Sequence, residues 1–330
     1  KNNQSNVSRL AASRPSGRGA GGTLSNSMAS VRAAEMERQN MKVKRWKLAT
    51  FLLPCLLLFG LIYLIPLIMV IVSSFFEWKA GGVFNFVGLQ NYINAFTNDP
   101  RMARALINTG IWVLLQSTVH VGIGTVIAFM LSRKLRGWKV LRTIYMIPNV
   151  VSAAALGVIF LNVFNPKYGI INSFVSAITG APFEKNWFFE QNSAFMTVTW
   201  SWLLYTGMII IVVLAGILAI PEDIIEAARI DGATEMQINL KVRLPLIRTV
   251  LGTGVILAAT SMLREFELIY LTTNGGPGDT TLNLPLYLYK TSMTDNNYGY
   301  ANMMGVVLIV AGIIAVQAIN KLFRMNESDY

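Results

Sequence analysis

Polar side chains recur at regular spacing inside a stretch of this sequence that is otherwise apolar. Asn108, Trp112, Gln116 and His120 follow one another every four residues, which places them along one face of a helix. Polar atoms beside an aromatic ring suit a carbohydrate, because its hydroxyls form hydrogen bonds while its CH face stacks on the ring. Hydrogen bonding between neighbouring helices is the simpler interpretation of the same stripe. Both interpretations stay open from the sequence.

A charged group lies in SMLREFELIY, residues 261–270. It combines Ser261 and Arg264 with Glu265 and Glu267, and Arg264 and Glu267 have the i,i+3 spacing of an ion pair on one helix. Charges within an apolar segment are costly and are candidates for function. We expect these acids to neutralise Arg264. The alternative is an ionic contact between Arg264 and an acidic sugar such as a uronate.

The composition disfavours several kinds of chemistry. Cys55 is the single cysteine and His120 the single histidine. A disulfide within the chain, a thiolate metal cluster and a metal site with two of its own histidines are therefore impossible. The sequence has no GxxxxGK(S/T) loop to hold phosphates, and no catalytic constellation is evident. We expect a chain that is not an enzyme and that binds no metal or cofactor itself.

The overall composition places these residues in a membrane. Hydrophobic residues make up 53% of the 330 residues and charged residues 14%, whereas roughly a quarter of a soluble domain is charged. Six apolar segments are long enough to cross about 30 Å of hydrocarbon as helices. The predicted fold is an all-α polytopic membrane protein with six transmembrane helices, at residues 48–73, 107–131, 140–164, 194–218, 248–271 and 301–323.

Basic residues indicate the orientation of these spans. Fifteen Lys and Arg residues flank one side of the predicted spans and six flank the other. By the positive-inside rule, both termini and the loop of residues 219–247 are cytoplasmic. The same bias accounts for the net charge of +11, so we expect no nucleic-acid partner. Residues 1–47 are predicted to be a flexible basic extension, residues 48–323 the membrane domain and residues 324–330 a short tail.

The loop of residues 219–247 begins with the signals of a short helix. In PEDIIEAARI, Pro221 suits a first helical position, and the acids that follow it favour a helix N-terminus. Asp231 and Gly232 are predicted to end this helix, because glycine adopts the left-handed conformation at low cost.

A second amphipathic helix is predicted in the same loop from Ala233 to about Arg243. It is expected to stop before Pro245, which cannot continue it. Two short helices joined by a tight turn form a knob that suits a groove on another protein. A helical hairpin that lies on the membrane surface fits the same pattern.

The residue spacing of this loop resembles the EAA motif of the membrane subunits of binding-protein-dependent ABC importers. The motif has EAA, three residues, Gly, nine residues, an aliphatic residue, one residue and Leu-Pro. The matching positions are Glu226, Ala227, Ala228, Gly232, Val242, Leu244 and Pro245. Val242 stands where Ile is usual, and Thr249 where relatives often have Pro. Further segments resemble the maltose-type carbohydrate branch over about residues 48–323, among them FVGLQNY, NTGIW, YGIINSF and LTTNGGPGDTT.

This resemblance implies a permease subunit with a coupling helix. An ATPase subunit would contact Glu226, Ala227, Ala228, Asp231, Gly232, Leu244 and Pro245, and its closure would move the spans between inward-open and outward-open states. The resemblance implies two such ATPase subunits, which would bind the ATP and Mg. It also implies a second permease subunit in a heterodimer, an extracytoplasmic solute-binding protein and a carbohydrate substrate, in the lipid bilayer of a bacterial cell membrane.

The resemblance also indicates a region for the substrate pathway. The end of the fourth predicted span and the charged group of the fifth lie near the central cavity in this family. The expected pathway residues are Asn108, Trp112, Gln116, Trp202, Tyr205, Ser261, Arg264, Glu265 and Glu267. Two other functions stay open. One is the import of another solute, such as a glycerol phosphodiester or a polyamine. The other is ion-coupled secondary transport with Glu265 and Glu267 as coupling acids.

Overall fold

The structure is a computed structural model and describes residues 45–82, 84–134 and 136–325. Regular structure in these residues is helical except for one two-stranded sheet, which agrees with the predicted fold class. The helices are α1 Arg45–Phe59, α2 Ile65–Ser73, α3 Gln90–Thr97, α4 Pro100–Leu115, α5 Val121–Ser132, α6 Trp138–Val150, α7 Ala153–Val163, α8 Ile170–Thr179, α9 Ala194–Leu203, α10 Gly207–Leu218, α11 Glu222–Ile230, α12 Glu235–Gln237, α13 Leu244–Leu246, α14 Arg248–Met262, α15 Glu267–Thr272, α16 Leu284–Met293 and α17 Tyr298–Leu322.

Three π-helical stretches join helices without a change of direction: Gly60–Leu64, Gln116–His120 and Ile238–Arg243. Most of the predicted N-terminal extension lies outside the described residues, and α1 already begins at Arg45. Of the predicted C-terminal tail, Arg324 and Met325 are described and form a turn.

Four helical segments have the length and apolar composition to cross a membrane, and two bent pairs do so if each pair counts as one span. We number the spans in chain order as span 1 Ala49–Ser73, span 2 Pro100–Ser132, span 3 Trp138–Val150 with Ala153–Val163, span 4 Ala194–Leu218, span 5 Arg248–Thr272 and span 6 Tyr298–Leu322. The predicted polytopic membrane fold is therefore confirmed, with four to six candidate spans.

Spans 2 and 3 are among those that differ from their predicted form. Span 2 begins at Pro100 rather than near residue 107, because the Asp99 side chain caps the helix and proline occupies a first-turn position. Span 3 consists of two helices that meet at 103°. There Val151 and Ser152 are extended, and the Ser152 hydroxyl accepts a hydrogen bond from the Ala155 amide to start α7.

The chain divides into two units at Pro66. The described part of the first unit is one helical segment, and its large apolar side chains from Phe51 to Ile65 are exposed. The second unit begins at Leu67 and contains the remaining helices, the sheet and the buried core.

Two clusters of buried apolar side chains connect spans 2, 4, 5 and 6. The first surrounds Trp112 and Met303, toward the end from which span 2 starts. The second surrounds Ile210, Val213 and Ala259, toward the opposite end of the spans. Lipid tails are as apolar as these side chains, so close packing of helices rather than transfer from water stabilises such contacts in a membrane.

A small folded region follows span 1. Strands β1 Phe76–Trp78 and β2 Phe84–Phe86 pair antiparallel, and the rings of Phe76 and Phe84 stack at 4.4 Å between centroids. The Asn91 side chain of α3 donates hydrogen bonds to the carbonyl oxygens of Ser74 and Phe76, which ties the sheet to α3. The connection between spans 1 and 2 is therefore folded, as its aromatic and glycine-rich sequence indicates.

One carboxylate joins three helices near this region. Asp99 Oδ1 accepts hydrogen bonds from the amides of Arg101 and Met102, at 2.9 and 3.2 Å. Its Oδ2 accepts from the hydroxyls of Tyr287 on α16 and Tyr300 on α17, at 2.6 and 2.7 Å. Burial, and next the hydrogen bond to Asp99, raise the pKa of the Tyr287 hydroxyl. Asp99 thus fixes the start of span 2 against α16 and span 6.

We expect Asp99→Ala to lower the free energy of unfolding by about 2–4 kcal/mol, because it removes a helix cap and leaves two tyrosine hydroxyls without their acceptor. The measurement is the thermal unfolding midpoint of the purified protein in detergent. Asp295→Ala is the control, since Asp295 is exposed and its side chain accepts no hydrogen bond from a described residue. Equal midpoints for the two variants would contradict this role.

Candidate functional site

The loop between spans 4 and 5 forms a helical hairpin, residues 221–247. Helix α11 begins after Pro221, which is extended and occupies the N-cap rather than the predicted first helical position. At the other end, the Ala233 amide donates to the Ala228 carbonyl and the Gly232 amide to the Arg229 carbonyl, both at 3.0 Å. These two bonds form a Schellman turn, with Gly232 left-handed at φ +81°.

The first arm of the hairpin is α11, and the second arm is Glu235–Leu246. The second arm differs from the prediction at both ends. It begins at Glu235 rather than Ala233, because Thr234 and Gln237 form a capping box. It continues past Arg243 and through Pro245 to Leu246. The π-helical stretch Ile238–Arg243 precedes the proline, and such wide turns relax the ordinary hydrogen-bond register of a helix.

The two arms of the hairpin are held together by charge. Arg229 on the first arm donates to Glu235 Oε1 at 2.8 Å, and Arg243 on the second arm lies 3.4 Å from Glu235 Oε2. The hydrogen bond from Arg229 holds the pKa of the Glu235 carboxyl below its usual range. Arg243 also donates to Asn239 Oδ1 at 2.6 Å. Exposed pairs of this kind contribute little to stability each, so they orient the two arms relative to each other.

The root of the hairpin is buried and its tip is exposed. Ile225, Ile238 and Ile247 are buried at the root. The side chain of Ile230 is 86% exposed, and Met236 is 65% exposed. Ile230 and Met236 lie on either side of the turn at Gly232, so the tip of the hairpin exposes an apolar side chain from each arm.

The predicted motif residues lie mostly on the accessible side of the hairpin. Ala228, Val242 and Leu244 are half-buried, whereas the exposed members are Glu226, Ala227, Asp231, Gly232 and Pro245. A groove of about 480 Å³ beside the hairpin is lined by Arg133 and Lys134 from the end of span 2, together with Arg229 and Arg243. The hairpin therefore lies at the same end of the spans as the basic residues that follow span 2.

A second candidate site is a cavity of about 350 Å³ between spans 2 to 5. Polar or charged side chains line much of it, and three spans are interrupted there. The polar and charged lining residues are Gln116, His120, Asn149, Trp202, Tyr205, Ser261, Arg264 and Glu265.

The interruptions of the spans shape this cavity. Span 2 has the π-helical stretch Gln116–His120, and span 4 is broken between Leu203 and Gly207. His120 is buried, and its Nδ1 donates a hydrogen bond to the Leu203 carbonyl at 2.9 Å. The break in span 4 leaves this carbonyl without a helical partner. His120 is thus a satisfied structural histidine.

A close approach of helices places Asn149 in the cavity. A Cβ atom at Gly207 would overlap the Tyr145 carbonyl oxygen and the Asn149 side chain. Glycine at this position therefore lets the last turn of α6 lie directly against the start of α10. Sequence reasoning missed Asn149, although a polar residue after Pro148 in an apolar run was an available signal.

Span 5 is interrupted between Met262 and Glu267. The Glu265 side chain accepts a hydrogen bond from the Leu268 amide at 3.1 Å, and Asn283 donates to the Glu265 carbonyl oxygen. These contacts satisfy backbone groups that the break would leave unpaired at membrane depth.

The interruption contradicts the predicted pairing of Arg264. Among the described residues, no ion pair joins Arg264 to Glu265 or Glu267. The i,i+3 spacing brings two side chains together only on a continuous helix, and this helix ends before Arg264. Arg264 Nε instead donates to the Thr260 carbonyl at 3.3 Å.

The nine predicted pathway residues separate into two groups. Six of them line the cavity: Gln116, Trp202, Tyr205, Ser261, Arg264 and Glu265. Asn108 instead donates to the Thr280 and Leu282 carbonyls, and Trp112 donates to Thr199 and stacks on Phe195. Glu267 is exposed at the start of α15 and does not line the cavity. Asn108 and Trp112 therefore connect elements of the fold and do not line the cavity.

Two polar atoms in the cavity wall are buried without a hydrogen-bond partner among the described residues. They are the Gln116 Oε1 acceptor and the Trp202 Nε1 donor. Buried polar groups are normally satisfied by protein, water or ligand. These two atoms are shielded from solvent, so the groups that equip the cavity to bind a polar solute are Arg264 and the other polar side chains of its lining.

Membrane spans broken around a polar cavity, with a hairpin exposed at one end, define a polytopic transport subunit. The chain belongs to the family of binding-protein-dependent transport system inner membrane components, whose family model matches residues 120–324.

The similarities of this chain to individual permease proteins agree with this family. The chain is 33% identical over 283 residues to the multiple sugar-binding transport system permease protein MsmF of Streptococcus mutans, covering 84% of this chain and 95% of MsmF. It is 30% identical over 286 residues to the osmoprotective compounds uptake permease protein GgtC of Synechocystis sp., covering 84% and 99%.

A solved structure shows the same fold. A chain of the crystal structure of a bacterial alginate ABC transporter, in complex with an alginate pentasaccharide-bound periplasmic protein, matches with a TM-score of 0.73. The two chains are 22% identical, and the match covers 86% of this chain and 96% of that one.

We expect the cavity to be accessible to water-soluble reagents. In a Cys55→Ser background, Ser261→Cys should react with a hydrophilic thiol reagent, because Ser261 is exposed in the cavity. Ser201→Cys is the matched control. Ser201 also bonds the carbonyl of the preceding turn of its helix but is fully buried. If the cysteine at position 261 reacted as slowly as the buried one at position 201, the cavity would be closed to solvent.

Proposed function

We propose that this chain is the permease subunit of an ATP-driven importer that moves a sugar or an oligosaccharide into the bacterial cell. The observation that carries the proposal is the hairpin, whose root is buried in the membrane domain and whose apolar tip residues are exposed. In this proposal the tip docks into a cleft of a separate ATPase subunit, in the manner of a helix in a groove.

The covalent path from the hairpin to the cavity supports a mechanical role. Only Ile247 separates the second arm of the hairpin from α14, and the two segments meet at 72°. Helix α14 then extends 15 residues, or about 22 Å, to the break that carries Arg264. A displacement of the hairpin is therefore transmitted along one rigid helix to the wall of the cavity.

The energy for transport comes from partners in this proposal. The chain has no phosphate-binding loop of its own, so ATP and Mg are bound by two ATPase subunits. These drive the conformational change through different affinities for the two states of the permease. The chain itself makes and breaks no bond. A second permease subunit completes a heterodimer, and an extracytoplasmic solute-binding protein delivers the solute.

The cavity supports a carbohydrate as the solute. Tyr205 offers an aromatic surface, and the polar side chains of Gln116, Asn149 and Ser261 in the cavity lining suit sugar hydroxyls. The similarity to MsmF agrees with this class of solute. The similarity to GgtC favours a second candidate, an importer of the same architecture for another polar solute, such as an osmoprotectant, a glycerol phosphodiester or a polyamine. ATP-dependent uptake of labelled candidates by the reconstituted complex distinguishes them.

The described contacts argue against ion-coupled secondary transport. One carboxylate oxygen of Glu265 accepts a hydrogen bond from the Leu268 amide, and Glu267 is exposed outside the cavity. Uptake that persists without ATP and follows an ion gradient would support that alternative.

We propose that the hairpin faces the cytoplasm, as the distribution of Lys and Arg indicates. In a Cys55→Ser background, Met293→Cys should react with an impermeant thiol reagent applied to intact cells, whereas Met236→Cys should react only after permeabilisation. The two methionines are matched, because each is 65% exposed and they lie on α16 and α12 at opposite ends of the spans. The reverse pattern would invert the topology.

We expect Gly232→Val to reduce ATP-dependent uptake by about tenfold or more while the protein still inserts into the membrane. Valine at a left-handed position costs about 1–2 kcal/mol and distorts the Schellman turn. The measurements are uptake by the reconstituted complex and the amount of ATPase that co-purifies. Gly180→Val is the control, since Gly180 is also left-handed, at φ +69°, and neither position has an atom within 4 Å of an added Cβ. Normal uptake with full ATPase recovery in Gly232→Val would refute the coupling role.

A further inference from the structure

Arg264 is a cation at membrane depth that lacks an anionic partner among the described residues. Its side chain lines the cavity, and its one hydrogen bond is from Nε to the Thr260 carbonyl. No carboxylate oxygen of a described residue lies within 4.0 Å of it. A guanidinium carries five N–H donors, so both of its terminal amino groups are available to a solute.

The nearby acids have other roles. The half-buried Glu265 side chain lines the cavity and accepts a hydrogen bond from the Leu268 amide, and Glu267 lies outside the cavity. Among the described residues, no acidic side chain lines the cavity from another element, and the polar groups there are Gln116, His120, Asn149, Trp202 and Tyr205. Arg264 is the one Arg or Lys side chain of this lining.

The remaining polar side chains of the cavity suit a sugar that binds next to such a cation. Gln116, Asn149 and Ser261 add polar side chains for hydroxyls to the lining of the cavity. A volume of about 350 Å³ lies at the lower end of the range for small-molecule sites. A solute with one anionic group and several hydroxyls matches this combination of a cation and polar side chains.

We propose that the transported solute is an acidic sugar, whose carboxylate pairs with Arg264 inside the cavity. This inference rests on the proposed function. Arginine and carboxylate match as a bidentate, charge-assisted pair, and Arg264 is exposed to the cavity, where a solute can reach it. A neutral sugar of the same shape forms no ion pair with Arg264, so the cavity favours the acid by about 10- to 100-fold.

The test uses the complete complex in proteoliposomes with ATP inside. The probes are labelled galacturonate oligomers of one to three units and the same oligomers with the carboxyl groups reduced to alcohols. The variants are Arg264→Gln, which removes the charge, and Arg264→Lys, which keeps it. Arg104→Gln is the matched control, because Arg104 is exposed in span 2 and lines a different cavity.

We expect the wild-type complex to take up an acidic probe and Arg264→Gln to lower that uptake by about 10- to 100-fold. Arg264→Lys should restore part of it, Arg104→Gln should match the wild type, and uptake of the reduced probe should not fall in Arg264→Gln.

Three results would overturn the proposal. The first is wild-type preference for the reduced probe with no effect of Arg264→Gln. The second is an equal loss of both probes together with loss of the partner permease, which would assign Arg264 to the subunit interface. The third is uptake of neither probe. ATP-dependent uptake of any other solute would leave the importer function standing in each case, whereas uptake independent of ATP would refute that function itself.

Discussion

Backbone amides and carbonyls have no water to bond at membrane depth, so every interruption of a spanning helix must be closed by another group. In this protein side chains close the interruptions that surround the cavity. His120 bonds the Leu203 carbonyl at the break in span 4. Glu265 caps the Leu268 amide at the break in span 5, and Asn283 bonds the Glu265 carbonyl. The cavity exists where these breaks meet, and its shape depends on these contacts.

The same requirement determines the electrostatics of the cavity. A carboxylate that caps a helix accepts its hydrogen bond from the backbone and is held in that place. Glu265 is therefore adjacent to Arg264 in sequence without forming an ion pair with it. The break in span 5 thus leaves one cation facing a polar space, which links the backbone geometry of the span to the charge of the solute that we propose.

The hairpin and the cavity are two ends of one mechanical element. The hairpin is stiffened by a Schellman turn, a capping box and the bridging carboxylate of Glu235. Its second arm reaches span 5 through one buried residue, Ile247. In the proposed importer a partner that moves the exposed tip therefore moves α14, and the solute site changes because α14 ends there.

The sequence by itself determined the features that depend on short-range patterns. Apolar length predicted the membrane spans, and the motif spacing with Gly232 predicted the hairpin and its left-handed turn. The resemblance to importer permeases also indicated the region of the cavity, where six of the nine expected pathway residues lie. The tertiary structure decided which polar residues face that space. Asn108 and Trp112 share a helical face with Gln116, yet they bond to residues 87 or more positions away. The separation of Arg264 from Glu267 depends on a helix break whose freed carbonyl is bonded by Asn283, 18 residues further along the chain. Periodicity describes neighbours on one continuous helix, whereas breaks and their closing contacts depend on distant residues that only the folded chain brings together.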